Sequence, residues 1–142
     1  MKRRDARETV FALIYEAGFT AEGEETSADD IVEMAQRCRD LEVDDYIREV
    51  LAGVKDHLAQ LDEKIADSVV GWKLERLSRV SQAIMRLAIY EMLYREDVSY
   101  NIAINEAVEL AKKFDHDKAP GFINGVLNSV ATKEGLKKEP TA

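Results

Sequence analysis

The amino-acid sequence predicts an all-α protein, and three observations carry the prediction. Apolar residues recur at steps of three and four almost throughout, strand-like alternation is hardly to be found, and the 142 residues include only two prolines and seven glycines. With 46% hydrophobic residues, a chain of this length forms one ordinary domain, or two small subdomains sharing a core. It needs no covalent staple to be stable.

Each element follows from its spacing. A first helix runs over 4–17: Ala6, Val10, Leu13, Ile14 and Ala17 hold the core positions, and Gly18 stops it. "TAEGEETS" reads as a solvated loop. Ser27 then offers an N-cap to a shorter second helix reaching about Arg39, with Asp29 and Asp30 in the first turn, where the helix dipole favours acids. A long third helix is expected from about Asp44 to Asp67, because Ile47, Leu51, Val54, Leu58, Leu61 and Ile65 step by four and three in turn. Packing of that seam against the other helices of the same chain is the first reading; a coiled-coil homodimer is the alternative. "VVGWKLERL" reads as a hinge and short helix, with Trp72 plugging the junction. The segment "SRVSQAIMRLAIYEMLYRE" is apolar on nearly all sides and is therefore the central, buried helix. Arg86 and Glu91 lie inside it and are costly to bury unless paired. Residues 100–114 and about 118–131 form the last two helices, and "TKEGLKKEPTA" is a polar tail.

Charge and composition narrow the function. The single cysteine, Cys38, excludes an internal disulfide framework and fits a reducing cytosol. No apolar stretch follows "MKRR" to make a signal peptide, and no run of about 18 apolar residues could span a bilayer, so a cytoplasmic protein is expected. A formal net charge of −8 argues against indiscriminate nucleic-acid binding, because neutralising phosphates dominates that kind of affinity. The charge is nevertheless segregated. Acids concentrate between Glu22 and Asp45, while bases cluster at residues 2–7 and again at Lys112, Lys113 and Lys118.

Catalytic and metal-binding signals are weak. His116 sits in "DHD", but three adjacent loop residues cannot all converge on one ion, and Cys38 has no CxxC partner. There is no Gly-rich phosphate loop, HExxH or GxSxG. No enzyme, metal or cofactor is expected. The first helix points to binding instead. At about 100° per residue, Arg4, Phe11 and Tyr15 fall together on the side turned away from the core, with Arg7 beside them. Arginines that hold phosphates and aromatic faces that stack on splayed bases make a single-stranded RNA surface. The competing reading is that Phe11 and Tyr15 cover a neighbouring helix.

The C-terminal half carries a family resemblance. "LSRVSQAIMRLAIYEML", "INEAVELAKKF" and "FINGVLNSV", in this order and close spacing, resemble the bacterial NusB antitermination family, as do the basic start and the "ALIY" of the first helix. The resemblance implies two three-helix bundles with a short connecting helix: about 1–70, about 71–134, and a flexible tail over 135–142. It implies binding of boxA-type RNA together with ribosomal protein NusE, in an assembly with the Nus factors and RNA polymerase that supports transcription of ribosomal RNA operons. It implies no catalysis and no cofactor. Carried onto this chain, the RNA-binding residues are Lys2, Arg3, Arg4, Arg7, Tyr15 and Phe122. Lys118 joins them where relatives can carry an acid; its charge would strengthen phosphate contact or weaken contact with basic NusE. Glu75 is the acidic candidate for the partner face, whereas Ser81 is uncharged where relatives can be acidic. Arg86 and Glu106 are expected to form a buried ion pair. Two alternatives stay open: a helical interaction module that self-associates, and the N-terminal RNA-binding domain of a ribosomal RNA cytosine methyltransferase. The absence of a methyl-donor domain before Ala142 counts against the second.

Overall fold

A computed structural model describes residues 2–18, 27–39, 42–69 and 77–137, and within them the chain is all-α. Its helices are α1 (Arg3–Ala17), α2 (Ala28–Arg39), α3 (Asp45–Asp56), α4 (Leu58–Ser68), α5 (Arg79–Tyr94), α6 (Tyr100–Phe114) and α7 (Ala119–Lys133). Trp72, Glu75 and most of the stretch expected to form a hinge and short helix around them lie outside the described residues, as does the Cys38 side chain.

The helix ends are where local chemistry places them. Gly18 closes α1 in the left-handed region at φ 58°, donating to the carbonyls of Ile14 and Tyr15, a conformation that glycine adopts at little cost. Side-chain oxygens of Ser27, Asp44, Ser78 and Ser99 accept backbone N–H groups at the starts of α2, α3, α5 and α6. At the far end, Gly135 turns the chain at φ 71°, and Leu136 folds back to donate to Ala131 and pack against the core.

The long helix expected from Asp44 to Asp67 is divided. His57, at φ −110° and ψ 17°, leaves helical geometry and separates α3 from α4. Its ring Nδ1 lies 2.9 Å from the Gly53 carbonyl, which also accepts the His57 backbone N–H at 3.0 Å. The break redirects the seam. α3 packs against α1, α2 and α5, whereas α4 packs against α5 and α7. Ile47, Leu51, Val54, Leu58, Leu61 and Ile65 are all buried within one chain. That intramolecular packing leaves no seam for a coiled-coil homodimer.

The expected central helix is central. α5 contacts α1, α3, α4, α6 and α7, and α5, α6 and α7 pack mutually as a three-helix unit. Gly53 of α3 makes room for the phenol of Tyr90 on α5: a Cβ there would lie 2.2 Å from the Tyr90 ring. Alanine normally favours a helix interior over glycine by about 1 kcal/mol. Gly53→Ala should nevertheless destabilise the protein by about 1–3 kcal/mol, the usual cost of overpacking. Denaturant unfolding checks the sign; a gain in stability would mean that the Tyr90 ring swings aside freely.

The buried charges are paired, but not as the sequence predicts. Arg86 does not meet Glu106. Its Nε and Nη2 donate to the two oxygens of Asp62 on α4, at 2.7 and 2.9 Å. Glu106 instead receives Arg4, and Glu91 receives Arg7. The error is one of geometry: a residue embedded in an apolar run must find a partner, but the run does not say on which helix.

Candidate nucleic-acid interface

The basic N-terminus is held largely by the protein's own carboxylates. Arg7, expected on an exposed stripe, is buried, and its side chain is only 7% exposed. Its Nε lies 2.9 and 3.2 Å from the two Glu91 oxygens, and Nη1 lies 3.9 Å from Glu106. Burial works against the charge on Arg7, but the hydrogen bond and attraction from Glu91 outweigh it and hold the guanidinium above its ordinary pKa. Cations in the first turn of a helix oppose its dipole; carboxylates from α5 and α6 supply the compensation here. Arg7 is therefore a structural residue joining α1 to α5.

Its neighbours remain at the surface. Arg4 reaches both oxygens of Glu106 at 3.1 Å while its side chain stays 68% exposed. Arg3 lies 3.6 Å from Asp97, and its guanidinium carbon is 4.1 Å from the centre of the Tyr46 ring. Tyr46 is buried, which with the nearby Glu91 carboxylate raises its hydroxyl pKa and keeps the phenol neutral. Lys2 is exposed at the start of α1, where its carbonyl accepts the Ala6 N–H.

Phe11 corrects the helical wheel. It is 4% exposed, with its ring centre 5.2 Å from that of Phe114 and 6.4 Å from that of Tyr15. α1 therefore has a second covered flank, against the end of α6, and a wheel drawn on one helix registers only its principal core direction. The competing reading holds for Phe11. Tyr15 does reach the surface, at 37% exposure. Arg79, at the start of α5, lies over its ring at 5.1 Å and donates to the Tyr15 carbonyl at 3.1 Å. No sequence signal singled out Arg79, because only folding brings the start of α5 to the end of α1. Ile14, Tyr15, Gly18, Arg79, Gln82 and Arg86 line a shallow cleft of about 170 Å³ between these helices.

The end of α6 adds a second aromatic platform that the sequence reading missed. Phe114 is 40% exposed, and Lys113 Nζ lies 5.3 Å from its ring and 2.9 Å from both oxygens of Glu8. The following turn is anchored to α5, since the hydroxyls of Ser78 and Ser81 donate to Asp115. That explains the "DHD" segment: Asp115 orders a turn, and among the described residues no group of three His, Cys, Asp or Glu could hold a metal. It also explains Ser81, which is buried in this contact. Lys118 is exposed just before α7, and Phe122, one turn on, is half-buried against the core. The end of α1 and the start of α5 thus meet, while Asp115 ties the α6–α7 turn to that same start.

Half-exposed rings with cations against them, carried on packed helices, offer a surface whose chemistry suits bases and phosphates. Comparison with known proteins makes this specific. The sequence matches the NusB family over residues 4–132. It is 42% identical to the transcription antitermination protein NusB of Bacillus velezensis over 132 residues, spanning 93% of this chain and 97% of the relative. The structure superposes on T. maritima NusB with a TM-score of 0.77 at 28% identity, covering 94% of this chain and 92% of that one. It also shares the fold of a chain from the crystal structure of antitermination factors NusB and NusE in complex with dsRNA, with a TM-score of 0.76 at 22% identity, covering 92% and 96% of the two chains. The chain belongs to the NusB family of transcription antitermination proteins. It is accordingly a non-enzymatic transcription factor, and no described helix is long and apolar enough to cross a membrane.

Proposed function

We propose that this chain binds boxA-type single-stranded RNA as a heterodimer with ribosomal protein NusE, in the cytoplasm, and so supports processive transcription of ribosomal RNA operons with the Nus factors and RNA polymerase. The observation that carries the RNA assignment is the surface around Tyr15: a half-exposed ring with Arg79 over it, beside Phe11 and Phe114. The structural neighbour that holds NusE and dsRNA supports the choice of partner class. Lys2, Arg3, Arg4 and Lys118 supply phosphate contacts, Tyr15 and Phe122 supply base contacts, and Arg7 acts from beneath by fixing α1. Glu75 remains the proposed acidic contact to NusE.

Fluorescence titration of a boxA-like RNA, with and without NusE and at several salt concentrations, tests the reading. Expected are weak binding alone, tighter binding with NusE, and affinity that falls as salt rises. Tyr15→Ala should cost about 1–3 kcal/mol of binding, the range for loss of one stacked base. Affinity unmoved by that substitution would remove the RNA from this surface.

A further inference from the structure

Arg4, Arg7, Glu8, Glu106, Lys112 and Lys113 are among the residues lining a groove of about 320 Å³ between α1 and α6. Its cations fall into two kinds. Arg7 is sealed against Glu91 with almost no solvent contact. The others are exposed and carry exposed or partly exposed counter-charges: Arg4 with Glu106, Lys112 with Glu109 at 3.4 Å, and Lys113 with Glu8. Exposed ion pairs contribute little to stability, so these are cheap to exchange for another anion. The groove also leads somewhere. Lys113, on its rim, lies against the Phe114 ring, which touches Phe11 beside Tyr15.

We propose that the α1–α6 groove is a phosphate track for the RNA backbone, with Glu8, Glu106 and Glu109 as internal counter-ions that the phosphates displace. This rests on the RNA reading above and adds Lys112 and Lys113 to its contacts. The carboxylates do not merely weaken binding. Occupying the cations in the free protein, they repel polyanions that lack bases to stack on Tyr15 and Phe114, and so favour the specific ligand by penalising the others. A net charge of −8 and a local basic site are then compatible.

The Glu8–Lys113 pair gives the cleanest test, because both side chains are at the surface and neither lies in the core. Affinity for the boxA-like RNA in the presence of NusE is measured against salt for the unsubstituted chain, Glu8→Gln, Lys113→Ala and the double variant. Glu63→Gln, an exposed charge on α4, controls for the general change in net charge. Glu8→Gln should raise affinity several-fold more than Glu63→Gln and steepen the salt slope by up to about 0.7, the contribution of one single-strand phosphate contact. On the Lys113→Ala background the same substitution should do no more than the control. Equal gains from Glu8→Gln and Glu63→Gln would overturn the proposal, as would a Glu8→Gln gain that survives loss of Lys113. An unsubstituted chain that binds no RNA with NusE present would overturn the RNA reading itself, and the track with it.

Discussion

Glu91→Gln should lower the unfolding free energy by about 3–5 kcal/mol, the usual cost of breaking a buried ion pair by removing one partner. Glu91 is 1% exposed and Arg7 6%, so water cannot replace what the carboxylate provides. Glutamine keeps an acceptor and the side-chain volume, which isolates the charge as the cause. The nearest remaining carboxylate is Glu106, 3.9 Å from Arg7 and already bonded to Arg4. Replacing both Arg7 and Glu91 by leucine should return much of the loss, because apolar residues of similar volume often substitute well for a buried pair. Urea unfolding measures both variants. A loss below about 1 kcal/mol for Glu91→Gln would place the pair in an effectively wet environment of the kind seen for surface ion pairs. Since Arg7 fixes α1 against α5, RNA affinity should fall only as the folded fraction falls.

Asp62→Ala is the second large effect, with an expected loss of about 3 kcal/mol, at the lower end of the range for a broken buried pair. Asp62 holds Arg86 through two hydrogen bonds, with side-chain exposures of 14% and 9%. The pair ties α4 to the central helix just beyond His57, where the backbone departs from helical angles between α3 and α4. Hydrogen exchange should therefore report selective opening of α4, with α6 protected as before. Glu106→Gln, which the sequence reading would have paired with Arg86, should cost far less, because its main partner is the exposed Arg4. If the two substitutions proved equally costly, Asp62 would not be the principal partner of Arg86.

These expectations mark where the sequence was legible. α1, α2 and α5–α7 were readable within about two residues, because each carries its own cap and its own apolar spacing. The division of the long helix was not, since it rests on the backbone angles His57 adopts once the helices are packed, and apolar spacing continues unbroken across the site. For the candidate site, Arg4 and Tyr15 were placed outside correctly, whereas Phe11 and Arg7 were not. Both are covered by groups from helices about 80 to 100 residues further along the chain: Phe114 for the one, Glu91 for the other. Arg79 and Phe114 escaped notice for the same reason, as neither forms a motif until its helix is docked.

The sequence by itself determined the all-α class, the buried central helix, the local concentration of positive charge in an acidic chain, and the motifs of the NusB family. All of these are properties of residues near one another along the chain. Tertiary structure alone decided which carboxylate holds which arginine, which aromatic ring reaches solvent, and which cations remain available to an anion. Those are distances between helices, and an ion pair or a stacked ring depends on a few ångströms that helical periodicity does not encode.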